Sequence, residues 1–276
     1  MPEQTTIIIY GKGGVGKSTI ASHLSVCFQR LGKSVLLVGC DPKADTSLRL
    51  LSGDSAPTIV DMVANLSSRR FDDNITRTAS GVDVLETGGP VPGMGCGGRG
   101  VATLCQLLDD SQMELGRYDV IIFDVLGDLV CGGFISPLRF GSANSVYIVS
   151  SEEAASLFAA NNIARVVCQP YHDSVSIGGI LFNVRSHPAP QGLLEAFASR
   201  INVRILGILP RDPAILDAED QGQTTITHAP ESEATQRFFA MAKAMMERCA
   251  CQEPQKVEPM SHADFWSFIR TRRAQR

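Results

Sequence analysis

A single α/β domain built on a doubly wound, mostly parallel sheet is the fold that the sequence predicts, and three observations predict it. Short apolar runs of β-branched residues and Leu recur along the chain, helical spacings lie between them, and the first run opens directly into a glycine-rich loop. The runs fall at residues 5–10, 34–39, 82–85, 119–124, 145–149, 177–183 and 203–209 and read as buried strands. Between them, Ala21, Leu24, Phe28 and Leu31 recur at three- and four-residue spacing, as do Phe238, Met241, Ala242, Met245 and Met246. Strands alternating with helices imply right-handed βαβ units, and so a parallel sheet with helices on both faces.

The 276 residues allow one large domain or two small ones. One domain over residues 1–251 fits best, followed by a polar linker and short tail at 252–276. With 44% hydrophobic and 20% charged residues, the chain has the balance of a folded globular protein. A net charge of −4 argues against a nucleic-acid partner. No run is long enough to span a bilayer: residues 118–130 are interrupted by Asp119, Asp124 and Asp128. The start, Met1-Pro2-Glu3-Gln4, lacks the basic region of a signal peptide, so a cytoplasmic location is expected. The eight cysteines are then expected to serve packing, metal or redox chemistry and not disulfides.

The glycine-rich loop is Gly11-Lys12-Gly13-Gly14-Val15-Gly16-Lys17-Ser18-Thr19, a complete phosphate-binding loop between a strand and a helix. Its backbone N–H groups and the helix N-terminus face phosphate, Lys17 reaches the terminal phosphates, and the Ser18 hydroxyl ligates Mg²⁺. ATP or GTP is the expected ligand. A second lysine, Lys12, marks the deviant Walker ATPases, in which such a lysine reaches the partner subunit's nucleotide. After the second run come Asp41, Lys43 and Asp45, and at the end of a later one Asp124 and Asp128. These carboxylates fall at the C-terminal edge of the sheet, where open α/β folds bind ligands; capping or turn formation is the alternative use of each.

Cys96 and Cys131 are each followed by Gly-Gly. Such a shell removes side-chain bulk and lets N–H groups approach a metal cluster. Two thiolates cannot supply four ligands, but a twofold dimer can, and the trans role of Lys12 asks for the same homodimer. Cys27, Cys105 and Cys168 lie on helical patterns and read as small buried hydrophobes, and the Cys249-Ala250-Cys251 pair reads as an accident of a helix end.

The stretches 11–19, 39–45, 86–101 and 123–134 together resemble the nitrogenase iron protein and its nitrogenase-like relatives. The resemblance spans about residues 5–248. It implies a homodimer with one 4Fe-4S cluster bridged by Cys96 and Cys131, passing single low-potential electrons to a separate catalytic component as MgATP is hydrolysed. Ferredoxin or flavodoxin would be the upstream donor. By the same resemblance Lys12 contacts nucleotide in trans, Asp41, Lys43 and Asp45 form a first switch, and Asp124 with Asp128 forms a second. Asn183 and the Pro210-Arg211-Asp212 turn match the adenine side, with Arg99 beside the cluster.

The sequence departs from nitrogenase iron proteins at Ile20, at Thr46-Ser47-Leu48-Arg49, at Val91 and in the tail. A nitrogenase-like system is therefore expected, methylthio-alkane reductase first. Nitrogenase proper and the reductases of protochlorophyllide, chlorophyllide or a nickel tetrapyrrole are the alternatives. A rival from another class is a partitioning or septum-positioning ATPase without a cluster. Its support is the tail, where Phe265, Trp266, Phe268 and Ile269 precede Arg270, Arg272, Arg273 and Arg276 as a basic membrane face would. The same tail would also suit packing against a partner.

Overall fold

The computed structural model describes residues 4–64, 70–90, 97–127, 136–138, 144–169, 175–250 and 256–273. Among them eight strands form one sheet: β1 (Thr5–Gly11), β2 (Val35–Cys40), β3 (Thr76–Arg77), β4 (Asp83–Glu86), β5 (Val120–Val125), β6 (Asn144–Ser150), β7 (Val175–Asn183) and β8 (Ile205–Leu209). The order is β3-β4-β2-β5-β1-β6-β7-β8, and every pairing is parallel except β3 with β4. All the apolar runs became strands. The short edge strand β3 was not foreseen, because Thr76-Arg77 carries no apolar pattern and owes its conformation to pairing with Asp83 and Val84.

The helices are α1 (Lys17–Arg30), α2 (Ile59–Ala64), α3 (Gly97–Asp110), α4 (Gln112–Leu115), α5 (Ala154–Val167), α6 (Gln191–Arg200), α7 (Pro213–Asp220), α8 (Thr225–His228), α9 (Glu233–Ala250) and α10 (His262–Arg273). Alternation along β1 divides the core. Ile7 and Ile9 face Leu24 and Phe28 of α1 and Phe238 and Met241 of α9, whereas Ile8 and Tyr10 belong with α3, α5 and α6. His23 fastens the first of these layers: it stacks on Phe238 at 4.2 Å, its Nδ1–H donates to the Thr19 carbonyl, and its Nε2 accepts the Thr225 N–H. Burial pushes this imidazole down to about 3, so it is neutral and this tautomer is the one both bonds require.

Part of the tail's apolar face is used within its own chain, while Trp266 stays exposed. Phe265 and Ile269 of α10 are buried in the core of their own domain, Phe265 lying 5.1 Å edge-on from Phe158. Asn161 anchors the approach to α10 by donating to the Met260 carbonyl and accepting its N–H. Burying these two side chains removes apolar surface from water and gives Phe265 an edge-on aromatic contact. Phe265→Ala is expected to cost about 3–5 kcal/mol in urea unfolding while leaving nucleotide affinity unchanged.

Of the cysteines assigned to packing, Cys27 and Cys105 are buried, but Cys168 is exposed, because it caps α5 one residue past the last buried position, Val167. Cys249 is half-buried, with its sulfur 3.2 Å from the Tyr147 hydroxyl, and Cys251 lies outside the described residues.

Candidate functional site

Parallel strands deliver their C-terminal ends to one edge, and the functional residues gather there. The phosphate loop follows β1, the Asp41–Asp45 loop follows β2, Glu86 ends β4, Asp124 lies near the end of β5, Asn183 ends β7 and Pro210 follows β8. The loop geometry is set by close approaches. Gly14 and Gly16 have φ of 73° and 99°, a left-handed conformation natural to glycine. A Cβ on Gly16 would lie 2.3 Å from Nδ2 of Asn183, whose amide donates to the Val15 carbonyl at 2.9 Å. Asn183 thus meets the phosphate loop from beneath. In the turn after β8, the Asp212 carboxylate accepts the Ala214 N–H at 2.9 Å and caps α7, while Arg211 is exposed.

Within the loop, Lys17 is buried and its Nζ donates to the Lys12 carbonyl at 3.4 Å, whereas the Lys12 side chain is exposed. Burial lowers the Lys17 ammonium below its ordinary value, against the opposing pull of Asp124, Asp41 and Asp45. Asp124 is 2% exposed; burial raises its carboxyl, against bonds from Ser18 and Thr46 and the charge of Lys17. Its Oδ2 accepts the Thr46 hydroxyl at 2.7 Å, and its Oδ1 is buried without a partner. A buried, unpartnered carboxylate oxygen beside a serine hydroxyl supplies the oxygens that a nucleotide-bound Mg²⁺ or its water shell takes, and the phosphate-loop lysine beside them suits the phosphates. The residues fit MgATP.

The first carboxylate loop is a tight turn. Asp41 accepts the Lys43 N–H on Oδ1 at 2.9 Å and the Ala44 N–H on its carbonyl at 3.0 Å. Ala44 is left-handed, with φ 52°, which its Cβ disfavours. On the other side of the site, Gly127 lies against the phosphate loop: a Cβ there would be 1.9 Å from the Gly11 carbonyl oxygen and 3.2 Å from the Gly13 nitrogen. The path out of β5 is therefore pressed onto the nucleotide loop.

Two site residues were not identified from sequence. Glu86 is fully buried at the end of β4; its Oε1 accepts the Ser47 N–H at 2.8 Å, and its Oε2 has no partner. The signal was present in outline, since Glu86 ends an apolar run near a glycine pair, but its partner Ser47 comes from a different loop. Arg185 gave no signal; its Nη2 donates to the Gly14 carbonyl at 2.5 Å and its Nη1 lies 3.6 Å from Glu153.

Burial pushes the Glu86 carboxyl up to about 7, reinforced by Asp124 and Asp45 and opposed by Ser47. In the folded chain it therefore keeps its proton where the unfolded chain has lost it, so its contribution to stability falls as pH rises from about 4.5 to about 7. Glu86→Gln stays neutral and escapes that loss. Its melting temperature, compared with wild type in nucleotide-free protein, is expected to improve steadily across that window and to level off above it.

Cys96, Cys131 and Asp128 lie outside the described residues. Burial pushes the Cys27 and Cys105 thiols up to about 12 and Cys40 well above its ordinary value, and among the described residues no three His, Cys, Asp or Glu side chains could hold a metal. In sequence, Cys96 directly precedes Gly97, the first residue of α3, and Cys131 follows the end of β5 at Val125 by six residues.

A parallel sheet whose central strand opens into a phosphate loop facing a buried carboxylate defines a P-loop ATPase. The septum site-determining protein MinD of Pyrococcus horikoshii OT3, solved with Mg-ADP, shares this fold with a TM-score of 0.71 at 24% identity, over 87% of this chain and 95% of that one. Within that class the chain belongs to the NifH/frxC family of 4Fe-4S iron–sulfur cluster binding proteins, whose family model matches residues 5–270. The nitrogenase iron protein of Methanospirillum hungatei JF-1 is 38% identical over 257 residues, 91% of each chain. Nitrogenase iron protein 2 of Methanothermobacter thermautotrophicus is 40% identical over 264 residues, covering 96% of this chain and 97% of that relative. Likeness to MinD is thus one of fold, while the family is that of the cluster proteins. Among the described residues no helix is long and apolar enough to cross a membrane.

Proposed function

We propose that the chain works in the cytoplasm as a homodimer that couples MgATP hydrolysis to delivery of single low-potential electrons. A separate nitrogenase-like catalytic component receives them, and a ferredoxin or flavodoxin supplies them. The observation that carries this reading is Asp124: its Oδ1 is buried without a partner within the influence of the phosphate-loop lysine, and the chain after its strand passes through Gly127, packed on Gly11 and Gly13, and reaches Cys131 seven residues in sequence after Asp124. A change at the phosphates is thereby felt along the chain that leads to a cluster ligand.

The roles follow from position. The N–H groups of Gly13, Gly14, Val15 and Gly16, with Lys17, Ser18 and Thr19, hold the phosphates, and Ser18 with Asp124 and Asp45 orders Mg²⁺ and its water shell. Asp41, Lys43 and Asp128 read the terminal phosphate from the two switches, and exposed Lys12 reaches the partner's nucleotide. Asn183, Pro210, Arg211 and Asp212 line the base. Cys96 and Cys131, two from each subunit, hold the 4Fe-4S cluster, which supplies a one-electron couple when bound. Protein purified without oxygen is expected to be a brown dimer with about four irons. A colourless, iron-free dimer would overturn the assignment.

The finer reading is the reductase component of methylthio-alkane reductase; Ile20, Thr46-Ser47-Leu48-Arg49 and Val91 support a nitrogenase-like system over nitrogenase proper. Relatives named nitrogenase iron protein at 38% and 40% identity favour a second reading, nitrogenase itself. Purification with the native catalytic partner, and identification of that partner's substrate, separates the two.

A further inference from the structure

We propose that Pro42 is a positioning residue that ties the first carboxylate loop to the segment bearing Cys96, so that each cysteine answers to its own switch. The inference rests on the ligand reading above and adds to it. Along the chain only Cys131 has a visible connection to the nucleotide, through Asp124 and Gly127. For Cys96 the connection is made by tertiary contact.

Pro42 directly follows Asp41, and its ring fills a cradle of two glycines. A Cβ on Gly89 would lie 2.5 Å from the Pro42 Cβ and 3.1 Å from its Cα and carbonyl oxygen; one on Gly97 would lie 2.5 Å from the Pro42 Cγ. Gly89 and Gly97 bracket residues 90–96, so a single ring touches the chain on both sides of the stretch that ends in Cys96. Any larger residue at either position would push the ring away.

The frame around this contact is fixed. Both the N–H and the hydroxyl of Thr87 donate to the Gly39 carbonyl, at 2.9 and 2.7 Å, the Val60 N–H donates to the Thr87 carbonyl, and Gly100 of α3 packs on Thr87 and Val60. The exits of β2 and β4 and the first turn of α3 are therefore held together. The Asp41–Ala44 turn is the part built to change: it is closed by Asp41's own carboxylate and carbonyl and kept at the disfavoured φ of Ala44. When the Asp41 carboxylate turns to bound nucleotide, the Lys43 bond is lost and the turn reopens. Pro42, whose own φ is locked by its ring, then moves as a rigid wedge against both glycines.

The test uses the full-length dimer with its cluster, comparing wild type, Pro42→Gly and Pro42→Ala by the rate at which a chelator removes iron with and without MgATP. Pro42→Gly is expected to keep iron content and MgATP affinity but to lose more than half of the MgATP-dependent change in rate. Pro42→Ala, which keeps the contact on Gly89 and loses the one on Gly97, is expected to fall between. In cluster-free full-length chain, MgATP is expected to alter the alkylation rate of both cysteines in wild type and of Cys131 alone in Pro42→Gly. An undiminished chelation response in Pro42→Gly, or in Pro42→Ala should the glycine variant not retain iron, overturns the proposal, as does equal loss of the alkylation response at both cysteines. Wild type that never carries iron overturns the ligand reading itself, a result distinct from either.

Discussion

Replacement of Cys96 or Cys131 by serine is expected to remove the cluster almost completely, taking iron from about four per dimer to near zero while MgATP still binds. Iron–sulfur clusters are held by soft thiolates, and a serine hydroxyl, harder and far less acidic, is a poor replacement. Twofold symmetry magnifies the effect, because one substitution in the gene removes two of the four ligands. Cys27, Cys40 and Cys105 offer no rescue, because they are buried thiols held in their neutral form by the core. The nucleotide site draws on the phosphate loop, Asp124 and Asn183, none of which depends on these sulfurs, so fluorescent-nucleotide titration should give a nearly unchanged affinity. Iron analysis and visible absorbance of anaerobic protein read the outcome, and a variant that keeps its full iron would remove that cysteine from the ligand set.

The second large effect is expected at Lys12. Lys12→Ala should bind MgATP and yet hydrolyse it about 10³-fold more slowly or worse, the scale set by other cationic fingers that neutralise charge developing on a transferring phosphate. The reason to place this lysine in trans is its exposure: Lys17, on the same loop, is buried beside Asp124, whereas the Lys12 side chain extends into solvent. Mixed dimers make the geometry testable. A dimer of one Lys12→Ala and one Lys17→Ala subunit has one complete site if Lys12 crosses the interface and none if it acts within its own subunit. Recovery of about half the wild-type rate supports the crossing; a mixed dimer as slow as its parents excludes it. The two substitutions must be read in the same dimer, because residues that act as a unit are strongly non-additive.

Much of this was legible in one dimension because the signals are local. Buried parallel strands are continuous β-branched runs, and each predicted run became a strand. The phosphate loop is contiguous, so its glycines, Lys17 and Ser18 could be read off directly. Asp124 could be found because it sits on the strand that holds it. Glu86 could not be assigned, because its acceptor role exists only once Ser47 arrives from the loop after β2. Arg185 and the resting place of α10 were hidden for the same reason: their partners, Gly14 for the one and Phe158 for the other, are far away in sequence.

The chain order of residues by itself determined the fold class, the phosphate loop and the pair of glycine-flanked cysteines, since each depends on neighbours within a few residues. Tertiary structure alone decided that Asp124 keeps a buried, unsatisfied oxygen, that Glu86 is buried against Gly39 and Ser47, and that Pro42 rests between Gly89 and Gly97. The physical reason is common to all three. Burial and contact across strands are properties of the packed sheet, and a parallel sheet brings together at one edge loops that the sequence keeps far apart.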